Sequence, residues 1–198
     1  MTYADEKIRD FIKELGSASP TPGGGSASAV AGSIAAALIT MDCNLTIGKA
    51  AYKRVEKEVM EIKKKASKIS SLLLRSADRD ARSFESVMKA LAMPKESELQ
   101  KLKRYEKIQA SLKKASEAPL EIMELCAELE SMAEFMSVNG NRSSRSDANV
   151  GAILANAAMK GAYENLEINL EAIKDERFVE EMNTKAAKLM KSPAQFVR

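Results

Sequence analysis

No histidine occurs in this chain of 198 residues. Its absence removes the side chain that most often acts as a general base near neutral pH or ligates zinc. Acid–base chemistry must rest instead on Asp, Glu, Lys, Tyr or Cys, and no metal site is expected. Tryptophan is missing too, aromatics make up 5% of residues, and the formal net charge is only +3. Without a strong charge excess or an aromatic–basic pattern, nucleic acid is not an expected partner. The only two cysteines, Cys43 and Cys126, fit no metal spacing and read as buried, reduced thiols. Long apolar runs are also lacking. The weakly charged stretch from Ala27 to Met41 is too short to span a bilayer, and the opening MTYADEKIRDFI mixes charges where a signal peptide would be apolar. A cytoplasmic protein with no membrane partner is the expectation.

Strand-like alternation is missing as well, and helical spacing runs nearly throughout. Ile8, Phe11, Ile12 and Leu15 make a short amphipathic helix closed by Gly16. Ser26 is placed to cap a second helix reaching about Gly48. A long third helix carries Val55, Val59, Ile62, Ala66, Ile69, Leu73, Ala77, Phe84, Val87 and Leu91 on one face and stops before Pro94. Ser97 and Gln100 form a capping-box pattern for a fourth helix with Leu102, Tyr105, Ile108, Leu112 and Ala115 inside. Pro119 kinks that helix or opens the next, which runs through Ile122, Cys126, Leu129, Ala133 and Met136. After a loop from Ser137 to Ser144, a sixth helix spans about Ser146 to Lys174, with Ile153, Ala157, Gly161, Leu166, Leu170 and Ile173 inward. A last one, near Glu176 to Lys191, ends before Pro193. The expected fold is all-α: a single-domain bundle of about six to seven helices over residues 1–198.

Four features depart from that pattern. The segment Ser19-Pro20-Thr21-Pro22-Gly23-Gly24-Gly25-Ser26 sets three glycines at a helix start, where unpaired N–H groups and the macrodipole attract anions. It reads as one wall of a ligand site. Asp80 falls near the core stripe of the third helix. It bonds a lysine, faces a shallow edge of the stripe, or is a desolvated carboxylate able to exchange a proton near neutrality. Asn44, Thr46, Lys49 and Tyr52 gather around Gly48, although Gly48-Lys49 lacks the other residues of a phosphate-binding Walker motif. Asn156, Asn165 and Asn169, poor helix formers, stand in the sixth helix, where they bond across helices or to a ligand. The mixed-charge run from Lys53 to Lys68 is a solvated helix face or a landing strip for an anionic tail. Asp147 fits a helix first turn.

A series of segments runs in order along nearly the whole chain: Pro20-Thr21-Pro22-Gly23-Gly24-Gly25-Ser26; Met41 with Asn44-Leu45-Thr46 and Gly48-Lys49; Asp80 with Phe84, Val87-Met88, Ala90 and Pro94-Lys95; Ala118-Pro119-Leu120; Ser146-Asp147; and Asn165 through Asn169-Leu170 to Lys174-Asp175. Together they resemble the cyclodeaminase domain family of folate one-carbon metabolism. That family includes formiminotetrahydrofolate cyclodeaminase and stand-alone methenyltetrahydrofolate cyclohydrolases. The resemblance implies an all-helical homodimer that binds a tetrahydrofolate derivative as substrate, with no further cofactor. With no histidine, Asp80 is the expected proton shuttle and Lys49 its electrostatic or proton-donating partner. Pro22, Gly23, Gly24, Gly25, Ser26, Thr46 and Asn165 become substrate-binding residues, and Asp147 a reserve carboxylate for the pterin edge. A lysine-rich surface suits a polyglutamated folate. A non-catalytic folate binder and a helical interaction module are the alternatives.

Overall fold

The computed structural model describes residues 2–191, and among them lie seven α-helices and no strand. They are α1 (Ile8–Leu15), α2 (Gly24–Thr46), α3 (Glu56–Leu91), α4 (Glu98–Ala115), α5 (Glu117–Asn139), α6 (Arg145–Glu171) and α7 (Glu176–Met190). The all-α expectation holds. Pro193, the expected stop after α7, lies outside the described residues.

Helix α2 is the centre, packed against α3, α5 and α6. Its Ala29, Gly32, Ala35 and Ala36 are buried and let the neighbouring backbones approach closely. Helix α6 runs antiparallel to it, with Asn165 beside Gly24, Gly161 beside Ser28 and Gly151 beside Leu38 and Ile39. Larger side chains fill the remaining space: Ile39, Leu73, Ile122, Met123, Leu129, Met136, Met159 and Leu166 are fully buried in one contiguous core. Each contributes roughly 1.5–3 kcal/mol of apolar burial. By length and composition α2 would suffice to cross a membrane; here it is the core helix of the bundle.

The capping box of α4 forms as expected: Gln100 N–H donates to Ser97 Oγ (3.2 Å) and Ser97 N–H to Gln100 Oε1 (3.0 Å). Other expectations shift. Gly23, not Ser26, is the N-cap of α2. The loop from Ser137 shrinks, because α5 continues to Asn139 and Arg142–Ser144 form a 3-10 turn. Helix α6 stops at Glu171, short of Lys174, and Asp175 caps α7 by accepting from Phe178 N–H (3.1 Å). Pro119 opens α5 in its first turn. Ile8, Ile12, Leu91, Leu102, Tyr105 and Ile153, expected inside, are exposed.

One core group is chemically unusual. Asp42, the single charged residue of α2, is fully buried, and its Oδ2 has no hydrogen-bond partner. Ser144 Oγ contacts its Oδ1 and also lies 3.1 Å from Asn141 O. One hydroxyl proton cannot serve both acceptors. A protonated Asp42 resolves this by donating to Ser144 Oγ, which then donates to Asn141 O. Burial pushes the Asp42 carboxyl above its ordinary range, against the lowering effect of the Ser144 hydroxyl. The folded protein therefore holds this proton to higher pH than the unfolded chain. The stabilisation is complete below the unfolded pKa and is lost as pH rises through the raised folded value. Asp42→Asn should stabilise the fold at neutral pH by roughly 1–3 kcal/mol and change little in acid. Parallel melting curves for variant and wild type across pH would contradict this assignment.

Candidate active site

The glycine segment reaches α2 through a cis Thr21–Pro22 peptide, with Pro22 buried and Gly23 extended (φ −120°, ψ −162°). Helix α3 then passes across the first turn of α2 and sets Asp80 against it. A Cβ placed on Gly25 would lie 2.3 Å from Asp80 Oδ1 and 2.6 Å from Oδ2. The carboxylate thus occupies the space that any other residue at position 25 would fill. Ser26 Oγ sits 3.1 Å from Asp80 Oδ2 and 3.0 Å from Ala77 O.

Ser26 Oγ faces the same choice as Ser144: one proton and two acceptors. With Asp80 ionised, its hydroxyl donates to the carboxylate. With Asp80 protonated, the acid can donate to Ser26 Oγ while the serine turns to Ala77 O. Burial is the largest influence on Asp80 and raises its pKa, opposed by the Ser26 hydroxyl and N–H. The carboxyl therefore has a stable hydrogen-bonded arrangement in both protonation states, as a proton shuttle requires.

Asp80 opens on a cavity of about 350 Å³ lined by Pro20, Thr21, Gly23, Gly24, Phe84, Val87, Ala115, Asn165, Ile168 and Asn169. Phe84 (39% exposed) and Ile168 (66% exposed) form an apolar lip. Asn165 Nδ2 donates to Gly161 O (2.8 Å) and Asn169 Nδ2 to Ala115 O (3.3 Å). The pocket joins a titratable carboxyl, a helix start, amide side chains and an apolar rim, as small-molecule sites commonly do. Clefts of about 430 and 720 Å³ exist elsewhere, but the carboxylates that line them are exposed, whereas Asp80 is half-buried.

Of the residues expected from sequence, Pro22, Gly23, Gly24, Gly25, Ser26, Asp80 and Asn165 come together here. Thr46, Lys49 and Asp147 do not. Thr46 and Lys49 lie at the other end of α2, about 34 Å away by helix rise. Thr46 is buried and bonds Asp42 O and Asn141 N–H, whereas Lys49 is exposed. Asp147 stands in the first turn of α6, near Asp42. Within one chain, Lys49 therefore does not stand beside Asp80. Asn169 and the rim residues Phe84 and Ile168 were absent from the expected binding set. The available signal was their i+3 and i+4 spacing from Asp80 and Asn165, which puts them on the same helix faces.

An all-helical bundle with a half-buried carboxyl at a glycine-lined helix start defines a site suited to a small molecule. The chain matches the formiminotransferase-cyclodeaminase family model over residues 7–188 and belongs to that family. It is 37% identical over 177 residues to a methenyltetrahydrofolate cyclohydrolase of Methylorubrum extorquens, covering 89% of this chain and 85% of that protein. It is 32% identical to the formimidoyltransferase-cyclodeaminase of Gallus gallus over 93% of this chain, which spans only 34% of that relative. The crystal structure of a formiminotetrahydrofolate cyclodeaminase from Thermotoga maritima superposes with a TM-score of 0.86 at 30% identity, covering 94% of this chain and 89% of that one.

Proposed function

We propose that this protein is a folate one-carbon enzyme that forms or opens the 5,10-methenyl bridge of tetrahydrofolate, with Asp80 moving the proton. The observation that carries this is the Asp80 carboxyl held between Gly25 and Ser26 at the floor of the cavity. Both family activities pass through a tetrahedral carbon joined to N5 and N10. In the hydrolytic direction water attacks the methenyl carbon, Asp80 accepts a water proton, and the C–N5 bond breaks as that proton reaches N5. The second hydroxyl proton leaves as the 10-formyl group forms. In the deaminating direction N10 attacks the carbon of the protonated 5-formimino group (N5–CH=NH2+), Asp80 takes the N10 proton and returns it to the leaving nitrogen, and ammonia departs to leave the cationic methenyl bridge. One carboxyl serves both directions because each step takes a proton from a nucleophile and gives it to a leaving nitrogen. The helix start at Gly23–Ser26 supplies N–H groups near the reacting centre.

The methenyl chromophore gives the test: supply the protein separately with 5,10-methenyl- and 5-formiminotetrahydrofolate and follow its absorbance. Acceleration over buffer is expected with at least one substrate, and failure with both ends the enzyme reading. Stabilisation by folinate without turnover would instead favour a non-catalytic binder.

A polyglutamate tail on the substrate suits the cations of a neighbouring cleft. Arg82, Lys107 and Lys114 line a cleft on the adjoining face of α3 and make no ion pair among the described residues. Arg79, in the same cleft, pairs with Glu121. The run from Lys53 to Lys68 is more remote; its nearer end is about 18 Å from Asp80 along α3.

We propose that the homodimer pairs through the outer face of α2 and α6. Ile34, Met41, Leu45, Val150 and Ile153 are 38–54% exposed there, and only 44% of the most apolar window of α2 is buried. An apolar helix so incompletely covered calls for a partner surface. Sedimentation should give a mass of two chains, and Ile153→Glu should shift it to one; a monomeric wild type would refute this. A reducing cytoplasm and one domain across residues 1–198 complete the proposal. The buried free thiols of Cys43 and Cys126, both pushed up to about 12 by desolvation, and the single contiguous core support it.

A further inference from the structure

Pro119 lies in the first turn of α5, yet helical geometry continues into it from α4, because Ser116 between them is itself helical (φ −76°, ψ −16°). In such a run the N–H of residue 119 would bond to Ala115 O. Proline has no N–H, so that carbonyl is left without its helical donor. Ala115 lines the Asp80 cavity, and the donor that reaches its carbonyl is Asn169 Nδ2 from α6, 3.3 Å away. This bond decides the orientation of the Asn169 amide. With Nδ2 committed to a carbonyl, Oδ1 remains as an acceptor, and no hydrogen bond among the described residues uses it. Asn165, one turn earlier, is fixed in the same way: its Nδ2 donates to Gly161 O at 2.8 Å, again leaving Oδ1 available.

We infer that Asn165 and Asn169 are a specificity pair, whose two amide oxygens read N–H donors on the ring edge of the ligand, and that Pro119 is the positioning residue that keeps Asn169 facing as an acceptor. The inference rests on the folate reading and deepens it. A reduced pterin carries N–H groups along its edge, including an amino group. It would meet two fixed acceptors from α6 and the Asp80 carboxyl from α3. A ring presenting only acceptors at that edge would leave the amide oxygens unsatisfied, and a site built for a hydrogen bond rejects the analogue that lacks it.

The test uses the full-length protein, folinate titrations, steady-state rates and thermal melts. Asn169→Ala should weaken folinate binding about tenfold or more. Pro119→Ala restores an N–H that can compete for Ala115 O and releases Asn169. It should raise KM several-fold while leaving kcat within about twofold and the melting temperature within a few degrees. A purely structural proline would instead lower the melting temperature and leave KM alone. The double variant gives the decisive reading: once Pro119 is replaced, Asn169→Ala should add little further loss, whereas independent effects would add. If wild type binds folinate and Asn169→Ala stays within twofold of it, the specificity pair is wrong and the folate site stands. If wild type fails to bind folinate at all, the folate reading falls and takes this inference with it.

Discussion

Asp80→Asn is expected to lower turnover by about 10²–10⁴-fold and to leave the bundle folded. The amide matches the carboxyl in shape and still accepts from Ser26 through Oδ1, so the contact at 3.1 Å is retained. What is lost is the capacity to take up a proton and release it. The variant should also melt no lower than wild type at neutral pH. Burial raises the Asp80 pKa in the folded state, so its stabilising contribution is complete below the unfolded value and is lost as pH rises through the folded one. An amide removes that loss, and exchanging stability for activity is a common property of catalytic carboxyls. Rates on the methenyl substrate with melting curves at pH 6 and pH 8 check both halves. Full turnover in the variant would remove Asp80 from the mechanism.

Helix existence and type were legible from periodicity because each helix must bury an apolar stripe, and the α4 capping box was legible because it is local. Asp80 stood out for the same reason, as a carboxyl near the stripe of α3. Faces were harder. Ile153 sits in a helix with apolar residues on more than one side, and spacing alone does not say which side meets the core. Thr46, Lys49 and Asp147 lie apart from the Asp80 pocket within one chain for a different reason. They share segments with the family pattern, but α2 is a rigid rod that carries Thr46 and Lys49 to the end opposite Gly24. Which end of one helix lies beside which residue of another is a tertiary fact. The orientation of Asn169 was beyond reach from sequence, because it is set by a carbonyl freed by Pro119, fifty residues earlier.

Gly25→Ala should match Asp80→Asn in lost turnover and, unlike it, should destabilise the fold. The new methyl carbon would lie 2.3–2.6 Å from the three terminal atoms of the Asp80 carboxyl, closer than any non-bonded contact allows. The carboxyl is held by Ser26, whose hydroxyl also reaches Ala77 O on α3, so the helices cannot simply part. The side chain must rotate away from Ser26 or the α2–α3 contact must open. Overpacking of this kind costs roughly 1–3 kcal/mol, of which the better helix propensity of alanine returns at most about 1 kcal/mol. The neighbouring glycines set the scale. A Cβ on Gly24 meets Asn165 Nδ2 at 3.2 Å, which a small side-chain shift can relieve, and one on Gly23 meets Pro20 O at an ordinary 3.7 Å. Alanine should therefore be tolerated at 23, mildly harmful at 24 and severe at 25. Combining Gly25→Ala with Asp80→Ala should recover stability beyond additivity without recovering turnover, because the second change removes the atoms with which the first collides. Equal effects at all three positions would mean that the glycines serve backbone freedom in general. A gradient peaking at Gly25 assigns the third glycine to the carboxyl it accommodates.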